Sequence, residues 1–168
     1  LVMVQGSNAC NPSILKLADA GVTRLPDASV IERGFSNLTS LNLNGNQITD
    51  GTIANLASAP RLEELYLNNN RINDTHGFSE ITTLKKLFLD GNQITDVSGL
   101  IPLVQLAELH LGNNHISSVS GLNTLPVLAT LDVKNQTLTG TITEVTEPYE
   151  LPAVFSQATT LDLPNVSG

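Results

Sequence analysis

One pattern, L-x-x-L-x-L-x-x-N-x-I, recurs along this chain and governs what it can fold into. Clear copies begin at Leu38 (LTSLNLNGNQI), Leu62 (LEELYLNNNRI), Leu84 (LKKLFLDGNQI) and Leu106 (LAELHLGNNHI). A weaker copy begins at Leu128 (LATLDVKNQTL) and a degenerate one at Pro12 (PSILKLADAGV). From Leu38 onward the offsets are 24, 22, 22 and 22 residues, and the interval from Pro12 is 26. Self-similarity at this period means stacked supersecondary units, none of which can bury its apolar side chains alone.

Within each copy the L-x-L core reads as a short strand, for example Leu65-Tyr66-Leu67, with its leucines in a column shared with the next copy. The Asn at the ninth position (Asn46, Asn70, Asn92, Asn114) turns the chain out of the strand. Buried there, its amide can satisfy backbone groups that the bend unpairs, and stacked copies make a ladder of such residues. Asp50, Asp74 and Asp96 follow as caps for a turn. Apolar returns such as Leu100 with Leu103, and Leu122 with Leu125, close the unit. A 22-residue coil leaves room on its outer side for a turn or 3₁₀ segment, not a long α-helix. The expectation is an α/β leucine-rich repeat solenoid, a right-handed horseshoe. Its parallel sheet lines the concave face, turns or 3₁₀ segments line the convex face, and a β-rich cap closes the C-terminus. Residues 1–37 form an N-terminal cap with the degenerate first repeat, 38–138 the repeats, and 139–168 the cap or the start of an Ig-like β domain. Ala20 and Gln136 replace the ladder Asn in the two boundary coils, where departures are tolerated.

Composition excludes several roles. A formal net charge of −8, from 8 Lys and Arg against 16 Asp and Glu, argues against a nucleic-acid footprint and against docking on anionic lipid. No apolar run approaches a membrane span. Cys10 is the only cysteine, so neither an internal disulfide nor a Cys-based metal site follows.

Stacking in register creates columns on the sheet face. The residue between the strand leucines gives Lys16, Asn42, Tyr66, Phe88, His110 and Asp132. The residue before gives Ile14, Ser40, Glu64, Lys86, Glu108 and Thr130; the residue after gives Ala18, Asn44, Asn68, Asp90, Gly112 and Lys134. Phe88, wedged between Leu87 and Leu89, must therefore face away from the core. Tyr66, Phe88 and His110 fall side by side in a chain whose Phe, Tyr and Trp content is only 4 %. An aromatic cluster on a polar face has the composition of a binding hot spot, although neighbouring rings also stabilise a sheet unaided. Glu64, Lys86 and Glu108 alternate in sign and pair across strands, while Arg71, Gln93 and His115 extend the patch along one rim. The candidate partner-binding set is Tyr66, Phe88, His110, Glu64, Lys86, Glu108, Asp90 and Asp132.

No catalytic residue is assigned. His110 beside Asp132 suggests a hydrogen-bonded dyad, yet no nucleophile stands in register and nothing excludes water. His76, His110 and His115 lack metal-ligand spacing, and one Asp per coil is not a calcium loop. No metal and no cofactor are expected.

The 22-residue repeat resembles the internalins of Gram-positive bacteria. Beyond the last coil, "LDVKNQTLT" leads to "PYELPAVFSQATTLDLPNVSG", similar to the order of turn, proline-containing segment and Ig-like sandwich in that family. The resemblance covers about 38–168. It implies a bacterial surface or secreted protein, extracellular, that binds a protein ligand such as a host receptor in adhesion, as a monomer. Cytosolic phosphatase regulators of the SDS22 type use nearly the same unit, so a cytosolic regulatory scaffold is one alternative. A structural spacer within a larger surface protein is another.

Overall fold

A computed structural model gives the structure of residues 11–136. The expected C-terminal cap over 139–168, the end of the last repeat and Cys10 lie outside these residues.

Six three-residue strands run β1 (Ile14–Lys16), β2 (Ser40–Asn42), β3 (Glu64–Tyr66), β4 (Lys86–Phe88), β5 (Glu108–His110) and β6 (Thr130–Asp132). They form one parallel sheet in chain order. The register is the one the repeat dictates: Leu41 opposes Leu65, Leu65 opposes Leu87, and Leu87 opposes Leu109. The strands begin one residue earlier than an L-x-L centre implies, so each carries the first leucine in its middle. The second leucine still joins the ladder, with Leu67 N–H donating to Phe88 C=O at 2.8 Å and Leu89 N–H to His110 C=O at 2.8 Å. Both leucine columns are sealed in the inner coils, where Leu65, Leu67, Leu87, Leu89, Leu109 and Leu111 have no exposed surface, and partly open at the ends, at Leu15, Leu17 and Leu131.

The asparagine ladder forms as its chemistry requires. Asn92 Nδ2 donates to Leu89 C=O at 2.9 Å in its own coil and to Leu67 C=O at 3.0 Å in the preceding one. Its Oδ1 accepts from Ile72 N–H at 3.1 Å. Asn46, Asn70 and Asn114 repeat this arrangement. Gln136 does so too, reaching Leu111 C=O at 2.8 Å, Val133 C=O at 3.0 Å and Ile116 N–H at 3.0 Å. It is therefore a longer amide filling the same role, not a departure from the ladder.

One residue before each ladder position the backbone turns left-handed. Asp19, Gly45, Asn69, Gly91, Asn113 and Asn135 all have φ between 53° and 68°. Gly and Asn visit this region at low cost. Glycine is required for a second reason: a Cβ at Gly91 would collide with Asn69 Oδ1, and one at Gly45 with Asp19 Oδ1.

The convex side carries 3₁₀ turns at His76–Phe78, Ser98–Leu100 and Leu122–Thr124. Two earlier coils depart from the expectation of short segments. The 24-residue coil holds a nine-residue 3₁₀ run, Asp50–Ser58, and the 26-residue first coil holds an α-helix, α1 (Ala28–Gly34). The added residues give these coils the length for helical turns that bury Ile31, Ile53 and Leu56. The two segments are tied by Leu25 N–H to Thr52 Oγ1 at 2.9 Å and Asn55 Nδ2 to Pro26 C=O at 3.0 Å.

The aspartates split in role. Asp74 and Asp96 accept from the N–H two residues on, His76 and Ser98, each at 2.9 Å, closing Asx turns. Asp50 instead accepts from Asn73 and Asp74 N–H in the next coil, at 2.8 and 2.9 Å.

Candidate functional site

Because Leu65, Leu87 and Leu109 are fixed inward, the residue after each must face outward on the sheet. Asn42 therefore opposes Tyr66, Tyr66 opposes Phe88, Phe88 opposes His110, and His110 opposes Asp132. The three rings lie face to face. Tyr66 and Phe88 have centroids 4.7 Å apart with planes 10° from parallel; Phe88 and His110 are 4.5 Å apart at 17°. These separations match the strand spacing, so rings standing perpendicular to a parallel sheet stack without distorting it. All three are partly buried and keep one edge at the surface.

Charges flank the stack on both sides. Lys86 Nζ sits 3.7 Å from Glu64 and 3.8 Å from Glu108, bridging the two carboxylates as the alternating signs imply. Glu64 Oε2 accepts from the Tyr66 hydroxyl at 3.3 Å. Partial burial, together with the Glu64 charge and this hydrogen bond, raises the Tyr66 phenol above its ordinary pKa. His110 does not form the expected hydrogen bond with Asp132. Its Nε2 is 3.1 Å from Glu108 Oε1, while Nδ1 is 3.9 Å from Asp132 Oδ2. Glu108 lies two residues away on the same strand and face, so it reaches the ring edge directly. Asp132 pairs with Lys134 at 2.8 Å, which raises the lysine pKa.

The third column makes a second ladder that the repeat alone does not announce. Asn44 Oδ1 accepts from Asn68 N–H, and Asn68 Oδ1 from Asp90 N–H, both at 2.8 Å. Asp90 Oδ1 accepts from Gly112 N–H at 2.6 Å. The signal was the recurrence of Asn and Asp at one position in successive coils. Burial raises the Asp90 pKa, and the Gly112 hydrogen bond and nearby His110 only partly oppose it. All eight candidate residues thus lie on one face in three adjacent columns. Arg71 and Gln93 are exposed beside the turn, and His115 is half-buried there.

Among the described residues, no group of three or more His, Cys, Asp or Glu is placed to hold a metal ion, and no helix is long and apolar enough to cross a membrane.

A family model described as leucine-rich repeats (2 copies) matches residues 36–81 and 60–102. No curated protein matches the sequence. Among solved structures, an internalin, InlF, of Listeria monocytogenes is 31 % identical, with a TM-score of 0.53 over 68 % of this chain and 39 % of its own. Internalin C2 of the same organism is 27 % identical, with a TM-score of 0.55 over 76 % of this chain and 64 % of its own. The leucine-rich repeat ectodomain of the receptor kinase SOBIR1 from Arabidopsis thaliana is 25 % identical, with a TM-score of 0.57 over 73 % of this chain and 68 % of its own. The chain spans less than two thirds of either internalin. With the repeat, the asparagine ladder and the open parallel sheet, these likenesses identify it as an internalin-like leucine-rich repeat protein.

Proposed function

We propose that this chain is a non-catalytic recognition module that binds a protein ligand on its concave face. In this reading it is a monomeric part of a bacterial surface or secreted protein engaged in adhesion, with a host receptor as the class of ligand. The observation that carries the binding reading is the Tyr66–Phe88–His110 stack, three partly exposed rings at the centre of a largely polar sheet face. Cross-strand ring pairs contribute only about 0.2–1 kcal/mol each to a sheet, so stability gives little reason to keep them in water. Aromatic anchors with a polar rim are what protein interfaces bury. The surface and adhesion roles rest on what the internalin likeness implies. The non-catalytic reading rests on the composition of the face, where His110 is flanked across the strands by Phe88 and Asp132 and not by a nucleophile.

The test is a Tyr66→Ala, Phe88→Ala double variant, measured against recombinant host-cell receptor ectodomains by biolayer interferometry. The expected result is an unchanged circular dichroism spectrum with binding weakened at least about a hundredfold, given hot-spot losses of about 2 kcal/mol or more per ring. Full binding by the double variant would overturn the reading. If binding is confined to cytosolic phosphatase subunits, the regulatory-scaffold alternative replaces it.

A further inference from the structure

The aromatic stack has two unlike ends. Beyond His110 stands Asp132, engaged with Lys134 at 2.8 Å, so that end meets an ion pair. Beyond Tyr66 stands Asn42, a side chain far shorter than the tyrosine. Its Oδ1 is folded back along its own strand to accept from Asn44 N–H at 3.0 Å. The column therefore steps down in height from a ring to a small amide, leaving the outer part of the Tyr66 face uncovered. At the same place Glu64 keeps unused acceptor capacity. Its Oε2 takes one long bond from the Tyr66 hydroxyl, and its Oε1 is 3.7 Å from Lys86, beyond hydrogen-bond reach.

We propose that Tyr66 and Glu64 together seat an arginine of the bound protein, whose guanidinium lies on the open Tyr66 face, extends the stack, and turns its N–H edge to the Glu64 carboxylate. This rests on the concave-face reading above and names the partner's chemistry at one end of it. Arginine fits where lysine does not: its planar cation stacks on rings and presents a rigid fork to a carboxylate. The surrounding charge agrees. Glu64, Asp90, Glu108 and Asp132 outnumber Lys16, Lys86 and Lys134 in these columns, and Lys16 lies in register with Asn42, one strand further from Tyr66. Lys86 is held between Glu64 and Glu108, and Lys134 is held by Asp132. The chain as a whole carries −8, which favours a basic partner.

The probe is the capped tripeptide Gly-Arg-Gly, titrated into the intact, ring-labelled chain and followed through the Tyr66 ring resonances by NMR. Tripeptides with citrulline or lysine in place of arginine serve as comparisons. Saturable Tyr66 shifts are expected with arginine, and citrulline or lysine should bind at least about fivefold more weakly. Glu64→Gln, which keeps the Tyr66 bond acceptor, should weaken the arginine probe to a similar degree, and Glu80→Gln, exposed just after the convex His76–Phe78 turn, should leave it unchanged. Equal responses to arginine and citrulline, indifference to Glu64→Gln, or no saturable shift would each overturn the arginine seat. Loss of receptor binding in the ring double variant, alongside a failed arginine probe, would remove this seat while leaving the concave-face reading intact.

Discussion

The asparagine ladder, in the bends that follow the strands, and the ring stack, on the outer face of the strands, run through the same coils and obey different rules. Asn46, Asn70, Asn92 and Asn114 are nearly inaccessible, and each bonds to backbone groups of two coils. One residue type occupies that position in the four inner coils because its amide meets the unpaired backbone of each bend, with Ala20 in the first coil and Gln136 in the last described one as the exceptions. The middle outward column reads Lys16, Asn42, Tyr66, Phe88, His110 and Asp132, and no fold requirement selects that series. Repetition marks what the architecture needs; the break in repetition marks what the individual protein uses.

Asn92→Ala attacks the first side of this comparison and should have the largest effect. It leaves Ile72 N–H without a partner in a dry interior and removes one of two amide donors from each of Leu67 C=O and Leu89 C=O, which keep Asn70 and Asn114. The unmet N–H costs about 1–3 kcal/mol and the two lost amide bonds about 0.5–1.5 kcal/mol each, so a loss of about 3 kcal/mol is expected in urea unfolding. A loss below about 1 kcal/mol would mean that water replaces the amide and the ladder is not what closes the bends.

Gly91→Ala probes the turn between the two features. It forces a Cβ into left-handed backbone and against Asn69 Oδ1, with an expected cost of about 2 kcal/mol. Introducing Asn69→Gly as well removes the collision and should recover part of the loss. Strict additivity of the two changes would show that the alternation of Gly and Asn across coils is coincidental.

Phe88→Ala attacks the other side. The ring lies on the outer face of the sheet, partly exposed and stacked on two neighbours, so unfolding free energy should fall by only about 1 kcal/mol. A drop as large as that of Asn92→Ala would make the stack a structural element and dissolve the contrast.

What the sequence disclosed follows the same division. Strand register, both leucine columns and the candidate face were legible, because a parallel solenoid converts a 22-residue period directly into spatial neighbours. Three things were not. Helix α1 and the nine-residue 3₁₀ run occupy the two coils whose lengths break the period, so the repeat predicts nothing there. Gln136 reads as a departure until geometry shows its extra methylene spanning the same three partners. His110 prefers Glu108 to Asp132 through the side-chain reach of its own strand, which column logic does not encode.

The smallest effect concerns Asp90, where the two sides of the comparison meet. Its neighbours in the second ladder are Asn44 and Asn68, and a neutral amide would accept the Gly112 N–H equally well. Burial nonetheless holds this carboxyl above its usual pKa, outweighing the attraction of His110 and Lys134. Between the unfolded and the raised folded value, the folded chain holds a proton that the unfolded chain has released, so stability falls as pH rises through that window. Asp90→Asn should match the parent chain in urea unfolding at pH 3 and be modestly more stable at pH 7. If instead the variant is less stable at neutral pH, then the charge contributes to the fold through His110 and Lys134. If the expected gain appears, a charge that weakens the sheet is being retained beside the ring stack, and the cause must lie in what the face contacts.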